Sequence, residues 1–212
     1  MSLITRIARL REAAGVGASS RPPILDLVQF TRQHVIDVTG VAGHQLHNWV
    51  ARKWLSLAGE QNPGKGKRRL YSGCDVITVA FGLELQPFGM MQVADELSRA
   101  QKISGRAHRM LLDPAFEPGR AMAIVPSAEQ KGWSYVSFGP GTARSGHDFM
   151  AAVIIDVDRL ILETLERLLQ TMRGDHVSPR NDGETSARWS GELVAEDYGD
   201  EYIIISASSR DV

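Results

Sequence analysis

Two clusters of polar side chains in the first third of the chain can do chemistry on a polyanion. One is His44, Gln45, His47, Asn48, Arg52 and Lys53, spread over residues 43–53. Asparagine and glutamine amides pair in bidentate fashion with an adenine edge, and arginine with guanine. The other is Lys65, Lys67, Arg68 and Arg69, within five residues on the tip Pro63-Gly64-Lys65-Gly66-Lys67 and the run that follows it. Glycine lets a backbone come close to phosphate, and the cations release its condensed counterions. Tyr71 closes the basic run, where it either packs beneath the tip or hydrogen-bonds a phosphate. A solvated helix face and a solvated charged loop are the plain alternatives for the two clusters.

Other constellations are weaker. Ser145 stands near His147-Asp148, but adjacency in sequence proves no triad geometry and no nucleophile motif surrounds the serine. Asp156 and Asp158 flank Val157, so on a strand they share one face, as a metal site or a solvated edge. Gly64-Lys65-Gly66-Lys67 lacks the spacing and the following helix of a phosphate-binding P-loop. The six histidines (His34, His44, His47, His108, His147 and His176) show no metal-ligand pattern with carboxylates or with the lone Cys74. The expectation is a chain that is not an enzyme, with no metal and no cofactor. A single cysteine forms no internal disulfide, which fits a reducing, cytoplasmic setting.

Charge supports the polyanion reading. Residues 1–112 hold 15 Lys+Arg against 8 Asp+Glu, and residues 113–212 hold 9 against 17, within a net charge of −1. A basic half joined to an acidic half is expected when one half meets nucleic acid and the other is free to meet a protein partner. The 212 residues, 43% of them hydrophobic, suffice for one or two packed domains. No apolar run reaches the roughly 20 residues that span a bilayer, and the arginine-interrupted start is unlike a secretory signal.

Several elements must position the clusters. Residues 2–13 carry Leu3, Ile4, Ile7 and Leu10 at helical spacing, and 14–23 read as a linker. Together 1–23 are expected to be a flexible N-terminal segment. Thr31 is suited to cap a helix holding Val35, Ile36 and Val38, which Gly40 ends. The next helix, 43–53, turns Leu46, Trp49 and Val50 inward and the polar cluster outward. A basic hairpin is expected over 55–71. Ser72 then caps an apolar helix to about Leu85, with Asp75 reaching back to the cap. A further helix runs from Met90 to about Met110, weakened at Gly105. Helix, turn, helix and basic hairpin is the layout of a winged helix-turn-helix, here assigned to 24–112.

Residues 27–97 also resemble the MerR-like winged-helix DNA-binding family. The resemblance rests on Val35-Ile36, Thr39-Gly40-Val41, Leu46 with Trp49, Arg69-Leu70-Tyr71-Ser72 with Asp75-Val76, and Phe88-Gly89-Met90. It implies a second helix in the major groove, a hairpin wing on the adjacent backbone, double-stranded DNA as partner and transcription regulation as the job. His47-Asn48-Trp49 stands where the family has an Arg/Tyr tripeptide, and the Leu46–Trp49 spacing is more similar to the excisionase and phage-terminase branch. That branch implies an architectural or packaging role on phage or mobile-element DNA. The family's regulators continue into a long antiparallel dimerising helix, a stretch interrupted here at Gly105 and Pro114; its metal-sensing members use cysteines in that region, where this chain has none, so no metal sensing is expected. A winged helix without DNA contact, acting as a protein–protein adaptor, is the third reading.

Residues 113–212 are expected to form a small α+β domain for dimerisation or partner contact, so the whole fold class is α+β. Strands are expected at 120–126, 133–138 and 149–157, with a last one at 202–206, giving three to four strands. A long amphipathic helix covers Leu160–Met172, laid on its own sheet or shared with a second subunit in a homodimer. Residues 173–192 read as a mobile loop. Trp133, Tyr135, Phe138 and Phe149 either line a small-molecule pocket or belong to a core.

Overall fold

Two capping boxes fix the helices on either side of the polar clusters. Thr31 accepts from the His34 amide at 3.3 Å, and His34 Nδ1 accepts from the Thr31 amide. Ser72 Oγ accepts from the Asp75 amide at 3.1 Å, and the Asp75 carboxylate accepts from the Ser72 amide at 2.7 Å. Each box satisfies amides that a helix start would otherwise leave without partners.

The computed structural model describes residues 1–15, 22–61, 63–127, 132–138, 152–174, 187–190, 194–198 and 202–206. Among them the chain is α+β, with more helix than strand. It divides into two units: Met1–Phe116 with Leu160–Glu184, and Glu117–Arg159 with Thr185–Val212. Among the described residues, no helix is long and apolar enough to cross a membrane.

The first unit holds α1 (Leu3–Ala13), α2 (Pro23–Asp26), β1 (Phe30–Thr31), α3 (Arg32–Thr39), α4 (Gly43–Ala51), β2 (Leu70–Tyr71), α5 (Gly73–Leu85), α6 (Met91–Arg99) and α7 (Ser104–Leu112). Gly40 ends α3 in the left-handed region, φ 79°. Helix α5 is the hub: Val76, Ile77, Val79, Phe81 and Leu85 are fully buried. A helix apolar on nearly every side has to lie inside a core, and α3, α6 and α7 pack around it.

Several expectations are corrected here. Residues 3–13 are not a flexible segment: α1 buries Ile7 and Leu10, and Arg11 donates to the backbone oxygens of Met110 and Asp113. Apolar residues at helical spacing find a groove beside α7. Among the described residues of 55–71 there is no hairpin; β2 pairs antiparallel with β1, Phe30 opposite Tyr71 and Thr31 opposite Leu70. The helix expected over 90–110 is two helices, broken at Ala100–Ile103, where Gln101 has φ 56°. Gly105 lies inside α7, so glycine does not make the break.

The second unit contains β3 (Ala121–Ser127), β4 (Gly132–Phe138), β5 (Ala152–Asp156), β6 (Ala187–Ser190), β7 (Val194–Tyr198) and β8 (Tyr202–Ser206). The first four form an antiparallel sheet of order β4-β3-β5-β6, and β7 pairs with β8. Strand β6 falls inside the stretch expected to be a mobile loop, because 187–190 pair with β5, Val153 opposite Trp189. Helix α8 (Val157–Met172) begins in this unit but belongs to the first from Leu160 onward. Its stripe Leu160, Ile161, Leu162, Leu165 and Leu168 is buried. Glu166 takes a bidentate ion pair from Arg6 at 2.6 and 3.1 Å, and Arg167 donates to the Asp37 carbonyl at 3.1 Å. Within the first unit, α8 is thus tied to α1 and α3 of its own chain.

Candidate nucleic-acid interface

Helix α4 presents the first cluster. Leu46, Trp49 and Val50 are buried, at 0, 3 and 2% exposure, while His44, His47, Asn48, Arg52 and Lys53 are exposed. The 3.6-residue period produces this division, since the apolar positions 46, 49 and 50 fall on one side. Gln45 is half-buried and its amide is engaged with Gln86 Oε1, so it is less available than its neighbours. Arg52 lies over Trp54 with its guanidinium carbon 5.0 Å from the ring centroid, and the residue stays exposed. Lys53, two residues past the end of α4, has φ 58°, a left-handed conformation unusual for a side chain of this size.

The stretch between α4 and β2 is stitched to the core by side chains. Gln61 Nε2 donates to the carbonyls of Val50, 3.2 Å, and Leu55, 3.0 Å, while its Oε1 accepts from the Leu57 amide at 3.1 Å. Asp95 accepts from the Ser56 amide at 2.7 Å, and Asp75 from the Ala58 amide at 3.0 Å. Asp75 therefore serves the helix cap and the loop together. Its burial pushes its pKa up, opposed by the backbone donors of Ser72 and Ala58.

The tip itself is open. Lys65, Lys67 and Arg68 are exposed, and the Lys67 amide closes a turn on the Gly64 carbonyl at 3.0 Å. Gly66 sits at φ 83° with open space about it, a conformation a Cβ would strain. Two members of the sequence cluster lie elsewhere. Arg69 is turned inward, holding the Gln61 carbonyl with Nε at 3.0 Å and Nη2 at 2.7 Å. Tyr71 is 1% exposed, so its ring packs in the core and is withheld from a phosphate; burial raises its pKa, opposed by its hydrogen bond with Arg69.

Sequence reading missed Arg32. Its guanidinium lies against Gly43, the first residue of α4, so closely that a Cβ there would meet Nη2 at 2.7 Å. Arg32 is itself exposed, adding a cation beside the start of α4. The signal was the glycine at 43, which reads in sequence only as a turn residue.

The other candidate sites resolve differently. Asp156 and Asp158 do not share a strand face, because the helix begins between them. Asp156 caps it by accepting from the Arg159 amide at 3.0 Å, and the fully buried Asp158 accepts from the amides of Gly119 and Arg120 at 2.9 and 2.8 Å. Ser145, His147, Asp148, Phe149 and His176, and the side chains of Trp133, Tyr135 and Phe138, lie outside what is described. The histidines are not all remote from other ligand types, however: His108 stands with Asp26 and Cys74, their donor atoms all within 4.8 Å of one another. No protein-family model matches the chain, and no curated protein matches it in sequence.

Proposed function

We propose that this chain is a sequence-specific DNA-binding transcriptional regulator of the MerR-like winged-helix type. Helix α4 would enter the major groove, and the turn at 64–68 would act as the wing on the adjacent phosphates. The observation that carries the reading is the bracing of one polar surface by another: Gln61 ties the α4 carbonyl of Val50 to the loop whose tip exposes Lys65, Lys67 and Arg68. A base-reading helix needs a fixed register on the backbone, which cations held at a set offset from it supply. His44, His47, Asn48 and Arg52 would face the bases, and Arg32, Lys53, Lys65, Lys67 and Arg68 the phosphates. Gln45 would contribute only after leaving Gln86.

The test is the salt dependence of duplex binding. Arg68→Ala is expected to weaken binding to every duplex and to lower the log–log salt slope by about one unit. Binding with no salt dependence, or an unchanged slope in Arg68→Ala, would discard the reading in favour of a protein–protein adaptor.

A second reading keeps the surface and changes the job, to an excisionase-like or small-terminase-like factor on phage or mobile-element DNA. Leu46 with Trp49 favours it, as does the break at Ala100–Ile103 in place of one long dimerising helix. Protection of a single promoter favours the regulator, and cooperative coating or bending of an element end favours the rival.

A further inference from the structure

The cluster of Asp26, Cys74 and His108 lies apart from the exposed cations of the proposed interface. Asp26 ends α2, Cys74 stands in the first turn of α5 and His108 is midway along α7. Gly73 makes the approach possible, because a Cβ at that position would collide with the Ile24 carbonyl. Only glycine lets α2 sit so close to the start of α5, and that contact delivers Asp26 to the neighbourhood of Cys74.

The hydrogen bonding of His108 defines what the cluster lacks. Its Nδ1 is 2.8 Å from the carbonyl oxygen of Ser104. A carbonyl can only accept, so Nδ1 carries a proton and donates it. In the neutral ring Nε2 is then a bare lone pair, and it faces Asp26 Oδ1 at 2.9 Å. Two acceptors at that separation repel unless something positive lies between them. The candidates are a second proton, giving an imidazolium–carboxylate pair, or a metal ion. Cys74 decides between them. A thiol sulfur within 4.8 Å of both other donors adds nothing to an ion pair but completes a ligand triangle. A histidine whose far nitrogen donates to a backbone carbonyl is also the usual arrangement of a metal-bound imidazole. The side chains of Asp26 and His108 remain 35 and 29% exposed, so an ion has a route in.

We propose that Asp26, Cys74 and His108 form a three-ligand site for a zinc-class divalent cation, with Oδ1, Sγ and Nε2 as ligands and a fourth position open to solvent. One nitrogen, one sulfur and one carboxylate oxygen suit a borderline-soft tetrahedral ion and not calcium or magnesium, which take oxygen ligands. Binding releases the thiol proton to solvent and leaves Nδ1–H on Ser104. The ion would clamp α2, α5 and α7 together at the base of β2.

Cobalt(II) titration of the reduced full-length protein tests this directly. Cys74 is the chain's single cysteine, so a thiolate-to-cobalt charge-transfer band within the monomer can arise only there. One equivalent of cobalt is expected to give that band with tetrahedral visible absorption, displaced by zinc. His108→Ala should weaken binding and change the visible spectrum, and Cys74→Ser should remove the charge-transfer band. Zinc should raise the melting temperature of the wild type and chelator should lower it, with circular dichroism confirming that the variants fold. No charge-transfer band with cobalt in excess, or a spectrum and affinity untouched by His108→Ala, would overturn the site and leave the imidazolium–carboxylate pair.

Discussion

Arg69 grips the carbonyl of Gln61 with two nitrogens, Nε at 3.0 Å and Nη2 at 2.7 Å. The consequence is mechanical. Gln61 in turn holds Val50 at the end of α4 and Leu55 beyond it. One arginine of the basic run is thus spent on the loop's own backbone, and the remaining cations of the tip are presented from a braced support. A charge-assisted bond to a carbonyl contributes more than a neutral one, and two from one fork fix direction as well.

Gln61→Ala separates support from charge. It removes no cation, so the salt slope of duplex binding should stay at the wild-type value. Affinity should nonetheless fall, because the tip and α4 lose their common brace. Stability should drop by about 1–2 kcal/mol, reflecting the lost bonds to Val50, Leu55 and Leu57. Urea melts and fluorescence anisotropy across a salt series measure both. A slope that falls together with affinity would mean that the unbraced tip no longer brings its cations to the phosphates.

Asn48 and Lys65 should behave differently from one another. Asn48 is exposed near the middle of α4 and carries a planar amide, so Asn48→Ala should cost about 1–3 kcal/mol at one base position and little elsewhere. Lys65→Ala should weaken all sequences alike. Selection from a randomised duplex pool with each variant reads this out. Loss of preference in Lys65→Ala but not in Asn48→Ala would assign base contact to the tip rather than to α4.

Local signals were legible in the sequence where chemistry is local. Thr31 with Gly40 and Ser72 with Asp75 announce helix ends, because caps are satisfied within three or four residues. The inward set Leu46, Trp49 and Val50 follows from period alone. Long-range partners were not legible. Nothing in the spacing of Arg69 distinguishes an arginine aimed at phosphate from one aimed at Gln61, and Tyr71 reads equally well as core or surface. The trio of Asp26, Cys74 and His108 spans 82 residues between Asp26 and His108. No ligand-spacing motif describes it, since the three come from separate helices. Helix α8 shows the same limit, because its wide stripe states that it is buried but not against what.

Tyr71 gives a pH test that also bears on the interface. Burial lifts its pKa above the ordinary 10.0, with the Arg69 hydrogen bond working against the rise. A group whose folded pKa is raised contributes stability that is fully present below the unfolded value and is lost as pH rises through the folded one. Stability should therefore decline as pH climbs above 10, with Tyr71 resisting titration until the fold opens. Tyr71→Phe should remove that part of the decline, at a cost of about 1 kcal/mol near neutrality for the bond to Arg69. Duplex affinity near neutrality should hardly change, because the ring is buried. Absorbance of tyrosinate against pH, with stability measured in parallel, checks the first outcome, and a large loss of affinity would return Tyr71 to the phosphate-contacting set.

Asp75 carries the most structure for one small side chain. It accepts from the Ser72 amide as a helix cap and from the Ala58 amide as an anchor for the loop. Asp75→Ala removes both acceptors and leaves two amides short of partners, so stability should fall by about 2–3 kcal/mol. Asp75→Asn keeps one acceptor oxygen, but its NH2 group would then meet the amide that used the other oxygen, donor against donor. The asparagine variant should therefore fall between wild type and alanine. Because Ala58 lies on the stretch that leads to the basic tip, proteolysis over 56–69 should accelerate in both variants, more in alanine. Equal proteolysis rates in wild type and Asp75→Ala would show that the loop is held by Asp95 and Gln61 alone.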